Sequence, residues 1–169
     1  MKRLLFVTLI ALFACIKGNA QIKNEREFLN FAKTEFNSKN KFLLENSWTV
    51  ITPRKETVDV KGIKTELSVY KKNYNGNLYK LSVEKSTYQG STVDIFITTV
   101  ILPNGTVFDT WVDNFETLGY VFKKVKNIQG KLFAGEKGLM ISAEIKNIDE
   151  APSNWVYVIS IMTDKKKNN

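Results

Sequence analysis

IKTELSVYKKNYNGNLYKLSVEK, Ile63 to Lys85, is two alternating runs set about an Asn-Gly pair. In the first run Ile63, Thr65, Leu67 and Val69 share one face. In the second, Tyr79, Leu81 and Val83 point inward and Lys80, Ser82 and Glu84 outward, which is the period of two of a half-buried strand. Asn75-Gly76 supplies two residues that tolerate positive φ, as a two-residue hairpin turn requires. A lone hairpin cannot bury its face, so the rest of the chain must supply neighbouring strands and a cover.

Both are legible on either side. Downstream, Gln89-Gly90 marks a turn, and Val93–Leu102 (VDIFITTVIL) is apolar on both faces near its middle, as a central strand should be. Upstream, Trp48–Thr52 (WTVIT) is rich in β-formers and is expected to stop at Pro53. Tyr120–Lys126, Leu139–Ile145 and Trp155–Thr163 bring the expected strands to about seven, with Gly130, Gly135 and Gly138 read as turns between short strands.

Two segments carry helical spacing instead. Asn24 with Glu27 three residues on resembles a capping box, and Phe28, Phe31, Ala32 and Phe36 follow on one face, predicting a helix over Glu25–Asn37. Phe108, Trp111, Val112, Phe115 and Leu118 form a second apolar stripe between Pro103-Asn104-Gly105 and Gly119, with Thr106 and Asp109 as the expected capping pair. The fold class is therefore α+β: a single domain, mostly antiparallel, with two amphipathic helices packed on the sheet. Cystatin-like and PsbP-like plans have this make-up, although no residue motif ties the chain to either.

The first twenty residues read as a leader that is removed. Lys2 and Arg3 precede the apolar run Leu4–Ala14, and Gly18-Asn19-Ala20 offers a cleavage site between Ala20 and Gln21. The run is about half of the roughly 20 residues a membrane span needs. A second exit is open, because Leu12-Phe13-Ala14-Cys15 resembles a lipobox, in which Cys15 is acylated and becomes the first mature residue. The expected location is periplasmic or secreted, or membrane-anchored through Cys15. Cleavage before Gln21 leaves residues 21–169, enough for one domain without disulfides, closing in a short basic tail over 164–169.

Composition excludes several chemistries. The chain has no His, so Ser-His-Asp and Cys-His nucleophiles and imidazole metal ligands are ruled out. The formal charge of +8 falls to +5 once Lys2, Arg3 and Lys17 leave with the leader. With only Arg26 and Arg54 beyond it, the basic, arginine-rich stripe of a nucleic-acid binder is missing. There is no Gly-rich phosphate loop and no EF-hand loop, and no cofactor or metal is implied.

The sharpest constellation is Asp109, Asp113 and Glu116, at i, i+4 and i+7 on the polar side of the second helix. Three carboxylates in a stripe suit a cation or an acid–base pair, and equally the solvated face that any amphipathic helix has. Tyr74 and Tyr88, in turn regions, and Trp155, opening the last strand, are the aromatic contact candidates, while Tyr79 reads as core. The sequence thus points to an exported, non-enzymatic binding or accessory domain for a small ligand or an envelope protein. A carboxylate-dependent enzyme and a lipid-anchored envelope component are the alternatives.

Overall fold

In the computed structural model, which describes residues 22–59, 61–124, 130–134, 138–147 and 155–166, each hairpin expected from the sequence is a rung of one sheet. The order of elements is α1 (Glu25–Lys33), α2 (Phe36–Glu45), β1 (Thr49–Val58), β2 (Lys64–Tyr74), β3 (Asn77–Thr87), β4 (Val93–Leu102), α3 (Gly105–Thr117), β5 (Phe122–Lys124), β6 (Gly130–Ala134), β7 (Leu139–Asn147) and β8 (Trp155–Lys166). The eight strands run β1-β2-β3-β4-β8-β7-β6-β5, and every neighbouring pair is antiparallel. The domain is α+β, with one more strand and one more helix among the described residues than the sequence pattern predicts.

Register explains the core. Tyr70, Leu81, Val100, Ile159 and Ala143 lie side by side across five strands, and Ser68, Val83, Thr98, Ile161 and Ile141 form the next row. All ten are buried, because the three helices lie on this face. The other face has no described helix on it. Its middle row, Val69, Ser82, Thr99, Ser160 and Ser142, is mostly hydroxylic, and Thr99 Oγ1 and Ser160 Oγ hydrogen-bond at 2.8 Å. Thr65, Leu67 and Val69, grouped by their alternation, lie on this uncovered side, while the intervening Ser68 and Tyr70 face the core.

Asn75 (φ 49°) and Gly76 (φ 78°) form the predicted tight turn, pairing Tyr74 with Asn77 and Lys72 with Tyr79. Pro53 does not end β1. The strand continues to Val58 with register shifts on either side of Thr52, and Pro53 falls in the irregular stretch before Lys55 of an edge strand, where no regular ladder bond is lost. β6 occupies Gly130–Ala134, where only turns are expected from the glycines. At the other end β8 runs on to Lys166, pairing Asp164, Lys165 and Lys166 with Ile95, Asp94 and Val93.

The predicted helix over Glu25–Asn37 breaks at Thr34. The Thr34 N–H and hydroxyl both donate to the Phe31 carbonyl (3.1 and 2.7 Å), and its backbone is extended (ψ 163°). The chain restarts as α2, whose inward residues are Phe36, Lys39, Phe42 and Leu43. Phe36 stacks against Phe96 (5.8 Å), and Asn40 Oδ1 accepts from the Tyr70 hydroxyl at 2.8 Å. Lys39 is 1% exposed. Its Nζ donates to the Ala32 carbonyl in the last turn of α1 (2.8 Å) and to Thr98 Oγ1 (3.0 Å), and lies 5.5 Å from the centre of the Phe31 ring. An ammonium at a helix C-terminus is favourably placed. Burial nevertheless depresses its pKa to about 8, helped by Lys165 and opposed by Glu35.

Two helix starts use the same device. Asn24 Oδ1 accepts from Glu27 N (2.9 Å), and Asn104 Oδ1 from Val107 N (3.0 Å), so Asn104 rather than Thr106 caps α3. Four, seven and eight residues after each cap come the buried Phe28, Phe31 and Ala32, or Phe108, Trp111 and Val112, and Phe28 packs on Trp111 at 5.7 Å.

Two helix ends match as well. Ser47 N donates to Leu44 O and Trp48 N to Leu43 O; Gly119 N donates to Glu116 O and Tyr120 N to Phe115 O. Both are Schellman closures, with Ser47 (φ 62°) and Gly119 (φ 91°) left-handed and an aromatic residue next. Helix followed by a four-strand meander therefore occurs twice, and the halves meet at β4 and β8. The sequence shows no internal repeat, so this symmetry resides in caps and topology.

Candidate functional site

The Schellman turn after α2 directs Trp48 toward the hairpin end of β2 and β3. There Trp48, Lys72, Tyr74 and Tyr79 line a pocket, closed on its remaining side by Ile22 and Lys23, which lead into α1. Lys72 and Tyr79 are register partners on the helix-covered face, so the two-residue turn at Asn75-Gly76 sets them abreast. The room is about 10 Å³, enough for one atom of the size of a water oxygen.

The walls are apolar, hydroxylic or cationic, and none of them is acidic. Lys72 Nζ donates to the carbonyl of Asn46, the C-cap of α2, at 2.7 Å. Burial lowers the Lys72 pKa, and the neighbouring Lys23 ammonium lowers it further. Burial raises the Tyr79 pKa, with Tyr74 adding to the rise. Trp48 is 4% exposed, and its indole N–H, itself buried, has no hydrogen-bond partner. A buried donor left unmade costs about 1–3 kcal/mol, and nine in ten or more such groups in folded proteins are satisfied.

The residues singled out in the sequence are dispersed. Tyr74 belongs to the pocket. Tyr88 is exposed in the turn where Ser91 N donates to Tyr88 O, at the far end of β3, about 30 Å away at the rise of a strand. Trp155 opens β8, three strands from β2, and is 47% exposed. Asp109, Asp113 and Glu116 are all exposed on the outer side of α3, and among the described residues no three His, Cys, Asp or Glu side chains are grouped to hold a metal. Cys15, Ala20 and Gln21 lie outside the described residues.

Sequence reasoning assigns Tyr79 to the core, places Trp48 in an expected strand and passes over Lys72, Lys23 and Ile22. One signal was available. A two-residue turn at 75–76 fixes the cross-strand pairing, and hence places Lys72 beside Tyr79 on the face that Tyr79 marks as inward. No local pattern brings Trp48 and Ile22 to the same place.

Among the described residues no helix is long and apolar enough to cross a membrane. No family model, curated protein or solved structure matches the chain.

Proposed function

We propose that the protein is an exported, non-enzymatic binding domain, and that the pocket walled by Trp48, Lys72, Tyr74 and Tyr79 receives the polar end of its ligand. The lining carries this reading, since two lysines, two tyrosines and an indole converge on one recess with no carboxylate among them. Binding is favoured over catalysis because the pocket gathers donors and a hydrophobic wall without a carboxylate, and Lys72 Nζ is engaged with the Asn46 carbonyl. Its small room suits end-on recognition, with the bulk of the ligand lying outside.

The leader reading supports export, and cleavage before Gln21 would leave Ile22 and Lys23 as the second and third residues of the mature chain. Native mass spectrometry of protein isolated from its own host tests both parts. A mass beginning at Gln21 supports release, and one beginning at Cys15 with acyl chains supports anchoring. A non-covalent adduct present on the parent and lost from Tyr74→Phe combined with Lys23→Gln supports the pocket. An adduct unchanged by that pair of substitutions would place the ligand elsewhere.

A further inference from the structure

The chemistry of the walls identifies what the pocket recognises. Ammonium and indole groups only donate hydrogen bonds, and a tyrosine hydroxyl donates one while accepting others. Lys23, Lys72, Trp48, Tyr74 and Tyr79 thus offer at least one donor each, against no acidic wall residue. Of the two carboxylates that follow Lys23 in the chain, Glu25 accepts from Asn114 Nδ2 at 3.2 Å, and Glu27 accepts from the Lys23 main-chain N–H at 2.7 Å in closing the start of α1. Burial first, and the Lys23 ammonium second, disfavour the charge on Lys72. An anion beside the two ammonium groups would offset that repulsion. A cation would add to the repulsion, and a neutral donor would meet donors.

We propose that the pocket binds a terminal oxyanion, a carboxylate or phosphate oxygen of a ligand, between the side chains of Lys23 and Lys72 and beside the Trp48 indole. This deepens the binding reading above and rests on it. The space of about 10 Å³ admits a single oxygen of such a group, leaving the others to face the two tyrosines and the solvent. Charge-assisted hydrogen bonds from lysine are among the stronger polar contacts, and the buried indole wall raises them by excluding water.

The chain has three tryptophans, so its indole N–H resonances are few, and Trp48→Phe assigns the relevant one. The protein is titrated with acetate and, separately, with inorganic phosphate, at ionic strength held constant with sodium chloride. The expected result is a saturable shift of the Trp48 indole signal at millimolar anion, with Trp111 and Trp155 unmoved. Saturation by acetate assigns a carboxylate ligand, and saturation by phosphate alone assigns a phosphate. Lys72→Gln is expected to weaken the response roughly tenfold. Because Lys72 also ties β2 to α2, Lys23→Gln, outside any helix or strand, is the second variant and is expected to weaken it as well.

A Trp48 signal unmoved by both anions, or moved equally in the parent and in Lys23→Gln, would overturn the proposal. If the host-derived adduct persists while neither oxyanion acts, the pocket binds a ligand of another class. If the adduct is also indifferent to the pocket substitutions, the binding reading itself fails.

Discussion

Raising the pH from 7 to 9.5 is expected to stabilise this protein, and Lys39 is the reason. Its folded-state pKa of about 8 lies below the ordinary 10.5 that it regains on unfolding. Between those values the unfolded chain binds more protons, so stability rises with pH. The penalty of holding the charged form in the core is fully present below pH 8. At about 1.36 kcal/mol per pH unit it amounts to about 3 kcal/mol, of which about 2 kcal/mol is recovered by pH 9.5. In urea, with a slope near 1.5 kcal/mol/M, the midpoint should move up by roughly 1 M.

Lys72, whose pKa burial also lowers, adds in the same direction. Tyr79, raised by burial, and the exposed Lys64, raised by its bond to Glu56, lose stability only at higher pH, near and above 10, which sets the upper limit of the window. Lys39→Met keeps the volume and removes the titration, so its midpoint should move only by the smaller Lys72 part. A parent protein whose midpoint is flat between pH 7 and 9.5, or a Lys39→Met variant that rises as far as the parent, would refute the account.

Three further outcomes follow from local geometry. Ser47→Gly should raise stability by about 0.5–1 kcal/mol in urea melts, since Ser47 is left-handed (φ 62°) in the closing turn of α2. Asn104→Ala should cost about 1 kcal/mol while Thr106→Ala costs little, and equal effects would put the α3 cap in the wrong place. Replacing Asp109, Asp113 and Glu116 together by Asn, Asn and Gln should stabilise α3 by a few tenths of a kcal/mol and leave ligand binding unchanged; loss of binding would return the stripe to the site.

What could be read from the letters was what is local. The Asn24 cap, the Gly119 closure, the Asn75-Gly76 turn and the inward set Tyr79, Leu81 and Val83 each depend on residues within one or two turns of chain. α2 is illegible because a central inward position is Lys39, a charged residue satisfied by Ala32 and Thr98 from elsewhere in the fold. β1 was cut short because the penalty of Pro53 depends on strand order, and an edge position removes it. The pocket was half legible. Register gives Lys72 beside Tyr79, but the approach of Trp48 and Ile22 is set by how α1 and α2 seat on the sheet, which no short-range pattern encodes.

The last strand in the chain is the fifth across the sheet, seated between β4 and β7. A chain emerging from its N-terminus can zip β1 to β4 by successive hairpins, but β4 keeps an open, strongly apolar flank until some sixty residues later β8 arrives to pair Thr98 with Ile161. That closure is the contact of greatest sequence separation in the sheet and should limit the folding rate. Until it forms, two half-sheets each present a bare inner edge, so a nascent or truncated chain ending before Trp155 should be held by chaperones or aggregate rather than settle into a smaller domain. On the export reading proposed above, late closure would be an advantage, because the commitment to a folded state waits for β8.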